Sequence, residues 1–327
     1  MVLTHEQIIT LQCLEGCGAA TINKIAAFAR ANDSTISGLS ELYEFIDEGI
    51  AHKAITRYHL PSFEEFRDAN SDALKLVEKT EKYGISIVSQ FDKDFPPALL
   101  NTVDEHGKPS NPILLYYKGN LSITERPCVA IIGTREPTKE GIMAGEYFGT
   151  ELARLGANIV SGLALGCDTA GHKGALSADG VTTAIVGNGL DTVYPQENTK
   201  LASQIIDSGG LMFSEYPIGT TAGQYNLVAR DRLQAALSWA TIVIQTSVNG
   251  GTMHAANATL QSQKPLYVVK YDSKVKEKVD GNDLLLSRGA VPLSSSSELS
   301  LLLKKLSTSV PRRESNNECQ GNLFPLD

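Results

Sequence analysis

Residues 129–176 read VAIIGTREPTKEGIMAGEYFGTELARLGANIVSGLALGCDTAGHKGAL. An apolar run at 129–132 stops at Gly133-Thr134-Arg135, and the segment EGIMAGEYFGTELARLG then carries apolar residues at helical spacing. A second apolar run, ANIVS at 157–161, ends at Ser161-Gly162, and another helical pattern follows. Short apolar strands that alternate with helices build βαβ units and a parallel sheet. Outward from this stretch the unit repeats, with TTAIV (182–186), LMFS (211–214), TIVIQT (241–246) and PLYVV (265–269) as strands. These runs are continuous rather than alternating, as expected when helices cover both faces of a sheet. Upstream, GISIVS (84–89) and PILLYY (112–117) read as two further short strands around a Pro-containing connection. The expected fold class is α/β: an extended Rossmann-like, doubly wound, mostly parallel sheet with a small helical N-terminal domain.

The helical domain is expected over residues 1–80. Thr4 can cap a helix from His5, with Gln7 in the capping-box position. A Gly16-Cys17-Gly18 turn then leads into Ile22, Ile25, Ala26 and Ala29 at helical spacing. Two readings stand open there: a helix-hairpin-helix whose turn binds a DNA phosphate, or a small helical bundle with a glycine turn. The second is the simpler. DSTISGLSELYEFI reads as another capped helix. The Rossmann-like domain is expected over 81–306, closing with a helix in SELSLLLKKL, and 307–327 reads as a polar, flexible tail.

Composition narrows the function classes. The chain has 327 residues, 42% of them hydrophobic and 20% charged, the balance of an ordinary globular protein. No apolar run reaches the roughly 18 residues of a membrane span. The N-terminus has no basic segment followed by an apolar one, so a cytoplasmic location without membrane attachment is expected. Five cysteines without a C-x-x-C pair fit reduced thiols, and no metal site is expected. A net charge of −8 argues against broad, non-specific nucleic-acid binding but leaves room for a local basic groove.

Ligands of open α/β sheets sit at the carboxyl ends of the strands, near the point where strand order reverses. Those ends carry Gly133-Thr134-Arg135, Ser161-Gly162, Gly187 and Gly189, Ser214-Glu215, and Asn249-Gly250-Gly251-Thr252. Each loop leads to a helix N-terminus, where free N–H groups and the helix dipole favour an anion. Together they predict a phosphate-handling edge, although neither G-x-G-x-x-G nor G-x-x-x-x-G-K-[ST] is present. Arg135 is a candidate phosphate fork. Arg230 and Arg232, two apart on one helix, do not share a face; one would reach the ligand while the other anchors a loop. Glu215 would bind a ligand amine, an arginine or a ribose hydroxyl. Tyr194, Tyr216 and Tyr225 are candidates for base stacking.

Cys167, Asp168 and His172 could suggest nucleophilic catalysis. Asp168 and His172 lie i, i+4 on one helix face, whereas Cys167 points elsewhere, so a thiol–imidazole pair is not expected. Asp168 in the first turn, paired with His172, would shape the pocket floor. No catalytic residue and no cofactor are expected.

Together LEGCGAATINKI, DKDFPPALL, ILLYYKGNL, VAIIGTREPTKEG, IVSGLALGCDTAGHKGAL, TTAIVGNGLDTVYPQEN, GGLMFSEYPIGT and RDRLQAALSWATIVIQTSVNGGTMHAANATLQSQKPLYVV resemble, in order and spacing, the DNA-processing protein A (DprA/Smf) family. The resemblance spans residues 5 to 305. It implies a non-enzymatic protein that binds single-stranded DNA, forms a homodimer and loads a RecA-type recombinase during natural transformation. It carries over Gly133, Arg135, Ser161, Gly162, Arg230, Arg232 and Gly250 as the DNA-facing positions. The chain departs from the family pattern at Leu165, where an arginine is usual, at Asp231, where an asparagine is usual, and at Leu227-Val228, where Phe-Pro is usual. The Val-Pro-Gly after the last strand is replaced by VVKY, and no C-terminal winged-helix-like domain is expected. Leu165 and Asp231 both make the pocket less positive. The alternative reading comes from the wider SLOG superfamily: a nucleotide-sensing module, for example in a defence system. NGGTMHAA is similar to the phosphoribohydrolase motif of that superfamily, but its catalytic Glu position is Ala255, which argues against hydrolysis.

Overall fold

The computed structural model describes residues 2–271 and 277–293, and the single positions 275, 302, 304 and 305. The expected closing helix (297–306), apart from those single positions, and the tail at 307–327 lie outside the described residues.

Four helices come first: α1 (His5–Gln12), α2 (Ala19–Ala31), α3 (Leu39–Ala51) and α4 (Phe63–Lys82). The capping box at the start of α1 forms as expected. Thr4 Oγ1 accepts from the Gln7 N–H at 3.3 Å, and Gln7 Oε1 accepts from the Thr4 N–H at 2.9 Å. Ser62 and Glu65 repeat the device at α4. Helix α3 starts later than its sequence suggests. The Glu41 carboxylate takes the Ser37 N–H at 2.8 Å, which closes a turn ahead of Leu39. The apolar stripes of these helices, including Ile8, Leu11, Ile22, Ile25, Leu42 and Phe66, form one cluster that continues into Leu114, Tyr116 and Met212 of the sheet.

The sheet has nine strands: β1 (Ser86–Ser89), β2 (Leu114–Gly119), β3 (Cys128–Ile132), β4 (Asn158–Ser161), β5 (Thr182–Ile185), β6 (Leu211–Ser214), β7 (Ala240–Val243), β8 (Leu266–Val269) and β9 (Val291–Leu293). Their order is β1-β2-β6-β5-β4-β3-β7-β8-β9. The seven strands from β6 to β9 are parallel, and β1 and β2 add an antiparallel edge beside β6. Strand β9 is an addition to the expected set. The run expected at 241–246 is a strand only to Val243: Gln245 leaves the sheet, and its side-chain oxygen accepts from the Thr138 N–H at 2.9 Å.

Helices α5 (Lys139–Arg154), α6 (Cys167–Ser177), α7 (Thr199–Asp207), α8 (Gln224–Leu237), α9 (Thr252–Gln261) and α10 (Asp280–Ser287) cover the sheet. Successive strand residues serve opposite faces. Val129 and Ile131 meet Phe148 and Leu152 of α5, while Ala130 and Ile132 lie in the cluster with Leu233 of α8 and Ala256 of α9. This is why the strands read as continuous apolar runs. Several glycines of the opening stretch serve this packing. A Cβ on Gly149 of α5 would strike the carbonyl of Gly171, and one on Gly174 of α6 would strike that of Glu146, so the two helices cross backbone to backbone. No described helix is long and apolar enough to cross a membrane.

Candidate functional site

Strand order reverses between β3, which leads leftward to β4, and β7, which leads rightward to β8. A cavity of about 670 Å³ opens there, at the carboxyl ends of the strands. Its lining comes from the loop after β3 (Gly133 to Glu136), from Ala164 and Asp168 beyond β4, from α8, and from Thr246 to Ala255 beyond β7.

The loop after β4 is filled by the protein itself. Arg230 reaches across from α8 and donates through Nη2 to the Gly162 carbonyl at 2.9 Å, and a Cβ on Gly162 would fall inside its guanidinium. Asp168 Oδ2 accepts from the Gly162 N–H at 3.0 Å and from the Ala164 N–H at 3.4 Å. Asn198 donates to the Leu163 carbonyl at 2.7 Å, and Leu163 is held in the left-handed region at φ +59°. The Ser161 hydroxyl is buried and donates to the Ile131 carbonyl at 2.6 Å. The expectation that Ser161 and Gly162 approach a ligand is therefore corrected: one closes the sheet and the other houses Arg230.

Asp168 sits in the first turn of α6 as expected, but its partners are loop N–H groups rather than His172. Thr182 Oγ1 donates to the Ile159 carbonyl at 2.6 Å, so it accepts from His172 Nδ1 at 2.7 Å, which assigns the proton to Nδ1. Burial pulls His172 down to about 3 and pushes the Cys167 thiol up to about 12. An imidazole pulled that far down is too weak a base to take the proton of a thiol pushed that far up, so the two do not make a nucleophile–base pair.

Arg232 is turned away from the cleft. Its guanidinium forks onto Glu215 with two bonds of 2.7 Å, and Nε donates to Ser110 Oγ at 2.8 Å. Of the three roles open to Glu215, the structure shows the arginine partner. Ser214 accepts from the Tyr216 N–H at 3.0 Å, Gly187 packs on the first turn of α8, and Gly189 packs on Pro217. Ser214, Glu215, Gly187, Gly189 and Arg232 thus hold neighbouring loops and do not line the cavity.

The β3 and β7 sides are different. Arg135 is exposed at the mouth and bonds to no other described residue. Thr134 ties the two loops together, its N–H donating to the Gln245 carbonyl at 2.7 Å. Helix α9 is preceded by Gly251 as N-cap, without a side-chain cap bond and without an acid in its first turn; the Met253 and His254 N–H groups are taken by the Gly250 and Gly251 carbonyls, which leaves those of Gly251 and Thr252 without a partner among the described residues beside the cavity. Asn249, Gly250, Gly251 and Thr252 all line it, and a Cβ on Gly251 would meet nothing within 4 Å. Tyr194 is exposed at the rim and lines the cavity, whereas Tyr216 and Tyr225 do not.

Two residues of the site, His254 and Gln234, escaped the sequence reading. His254 lines the cavity and its Nδ1 lies 2.6 Å from Glu105 Oε2, a partner from the Pro-containing connection with no local signal. Gln234, a lone amide in the apolar run LQAAL, lies on the floor with an unpartnered Nε2. Asp231, which the sequence already set in the pocket, faces inward too, 3.0 Å from Arg230 Nη1. Burial pushes its acid up to about 6, although Arg230 draws it down. Within this lining Arg135 and Arg230 face three acids, Asp168, Asp231 and Glu136, the last of them paired with Lys278.

A family model described as DNA recombination-mediator protein A matches residues 86–304. The chain is 31% identical over 264 residues to Protein Smf of Synechocystis sp., covering 75% of this chain and 63% of that protein. It is 33% identical over 190 residues to DNA processing protein DprA of Streptococcus pneumoniae, covering 58% of this chain and 66% of that protein. The chain thus spans less than two thirds of the length of these curated relatives. Among solved structures, DprA from Streptococcus pneumoniae superposes with a TM-score of 0.73 at 25% identity, over 92% of this chain and 98% of that one. DNA processing protein A from Helicobacter pylori, a structure described for its single-stranded DNA binding mode, gives 0.58 at 32% identity over 68% and 96%.

Proposed function

This chain belongs to the DNA recombination-mediator protein A family, and on that premise we propose that it binds single-stranded DNA at the carboxyl edge of its sheet and performs no chemistry on the strand. One observation carries the reading: the cavity at the strand-order reversal joins an uncommitted Arg135 to the open N-terminus of α9. A phosphate held there meets a cation and free N–H groups together. Tyr194 at the rim supplies a face on which a base can stack. The single-stranded DNA binding mode described for the Helicobacter pylori relative supports the same ligand class. The proposal extends to a homodimer that hands the strand to a RecA-type recombinase in the cytoplasm during natural transformation; family membership supports these parts.

The test is fluorescence anisotropy with a labelled oligonucleotide of about 16 residues across a salt series. Binding is expected at about 50 mM salt, with log K falling linearly in log salt. No binding at that salt would sink the reading.

A second reading has one observation in its favour. The cancellation of Arg230 by Asp231 suits a single small ligand better than a long polyanion, so a free nucleotide could be the natural occupant. A ligand at 100 times its Kd stabilises a protein by about 2.7 kcal/mol, which a thermal-shift panel of nucleotides detects. A flat panel beside clear single-strand binding eliminates this reading.

A further inference from the structure

We propose that Lys278 is a second backbone-binding cation at the mouth of the cleft, held beside Arg135 by Glu136 and released to a strand phosphate when DNA enters. The inference rests on the single-stranded DNA reading above and extends that site to a residue outside the cavity lining.

The charge of the cleft raises the need for such a residue. Two arginines against three acids leave the lining at a formal charge of −1, with His254 counted as neutral, a poor field for a polyanion. Glu136 is the acid next to Arg135 in the chain, and Lys278 takes it. Lys278 Nζ donates to Glu136 Oε2 at 2.7 Å and to the Glu136 carbonyl at 2.9 Å. The lysine comes from the segment between β8 and α10, where the Glu277 carbonyl accepts from Gln245 Nε2 at 2.7 Å. The side-chain oxygen of the same Gln245 accepts from the Thr138 N–H. One buried amide thus joins the segment of Lys278 to the loop that carries Arg135.

Two features make the lysine available. Its side chain is 36% exposed and that of Glu136 85%, so the pair lies in solvent, where it contributes little and a competing anion can replace the carboxylate. An ammonium on a flexible four-carbon stem has three donors, so it can turn to a phosphate while keeping the Glu136 carbonyl. Arg230 and Arg232 lack this freedom, each nearly buried and bonded to a carboxylate and a carbonyl. Reach is also met. The Cα atoms of Arg135 and Glu136 are about 3.8 Å apart, and Lys278 Nζ touches the Glu136 carbonyl, so the two cations serve neighbouring points of one sugar–phosphate backbone.

The experiment follows one labelled oligonucleotide by anisotropy across a salt series, with the full chain, Lys278→Gln, Glu136→Gln and the double variant. Lys278→Gln keeps a donor for the Glu136 carbonyl but carries no charge. It is expected to weaken binding about fivefold and to make the slope of log K against log salt shallower by about 0.7. Lys278→Arg is expected to keep the wild-type slope. The decisive comparison sets the double variant against Glu136→Gln. With no carboxylate left to neutralise, Lys278 acts only on the strand, so its loss should again take about 0.7 from the slope. If the double variant keeps the slope and affinity of Glu136→Gln, Lys278 merely shields Glu136 and the proposal is overturned. It is overturned as well if Lys278→Gln alone changes neither quantity; in both cases single-strand binding stands. Absence of binding by the wild type overturns this inference and the reading beneath it together. Should Lys278→Gln fail to fold, amine acetylation of the wild type decides: a bound strand is expected to protect Lys278, and equal labelling with and without oligonucleotide overturns the contact.

Discussion

Gly162, just past β4, and Gly251, in the loop after β7, both look in sequence like places where a backbone makes room for a phosphate. A Cβ at Gly162 would fall inside the Arg230 guanidinium, whereas one at Gly251 would meet nothing within 4 Å. The first glycine makes room for the protein and the second borders open space. The arginines divide in the same way. Arg232 is locked onto Glu215 and Ser110, Arg230 is sunk beneath the β4 loop, and Arg135 stands free at the mouth. A glycine or an arginine at a strand end therefore marks a place where groups come close, and what fills that place decides its function.

Substitutions can break or sharpen this contrast. The largest effects belong to the filled side. Arg232→Ala strands the Glu215 carboxylate, so a loss of about 3 kcal/mol of stability is expected by denaturant titration. Gly162→Ala evicts the Arg230 guanidinium, with a loss of about 3 kcal/mol expected from overpacking and a displaced buried charge. If either variant unfolds like wild type, the strut assignment fails. On the open side, Arg135→Ala is expected to leave stability within about 0.5 kcal/mol of wild type and to weaken oligonucleotide binding about tenfold.

A smaller effect comes from pH. Burial raises Asp231 from its ordinary 3.8 to about 6, against the pull of Arg230, His254 and Arg135 and with the push of Asp168. The folded state then holds this proton more tightly than the unfolded one. Its contribution to stability is full below about pH 4 and is lost as pH rises through about 6. Protonation also frees Arg230 of its counter-charge, so single-strand affinity should rise several-fold as pH falls through about 6. Asp231→Asn should flatten that profile, and an unchanged profile in the variant would assign the titration elsewhere. The smallest effect is expected from Gly251→Ala, within about 0.5 kcal/mol in stability, because its φ of −56° suits any residue.

The architecture was legible because strand periodicity is local: Val129–Ile132 and Thr182–Ile185 announce themselves as apolar runs of strand length. Strand β9 was not, since three residues with a central proline carry almost no pattern. At the site, the residues at the strand ends could be read, Gly133, Arg135 and the Asn249–Thr252 loop among them, but not which strands flank the reversal of strand order. The direction of each side chain could not. Two arginines two residues apart differ by a rotation that only the packing of α8 against Glu215 and Gly162 fixes. The His254–Glu105 pair, 149 positions apart, is a product of the fold alone. Gln234 and Gln245 did leave a trace, each a single amide within an apolar run, which is where a buried polar group seeks a specific partner.

The central claim is that the open side of the cleft, through Arg135, holds the DNA backbone. It is tested most directly by the slope of log K against log salt for wild type and Arg135→Ala on the same labelled oligonucleotide. The account predicts that the variant loses about one phosphate contact, its slope becoming shallower by about 0.7 for a single strand. An unchanged slope and affinity in a folded Arg135→Ala protein would contradict it.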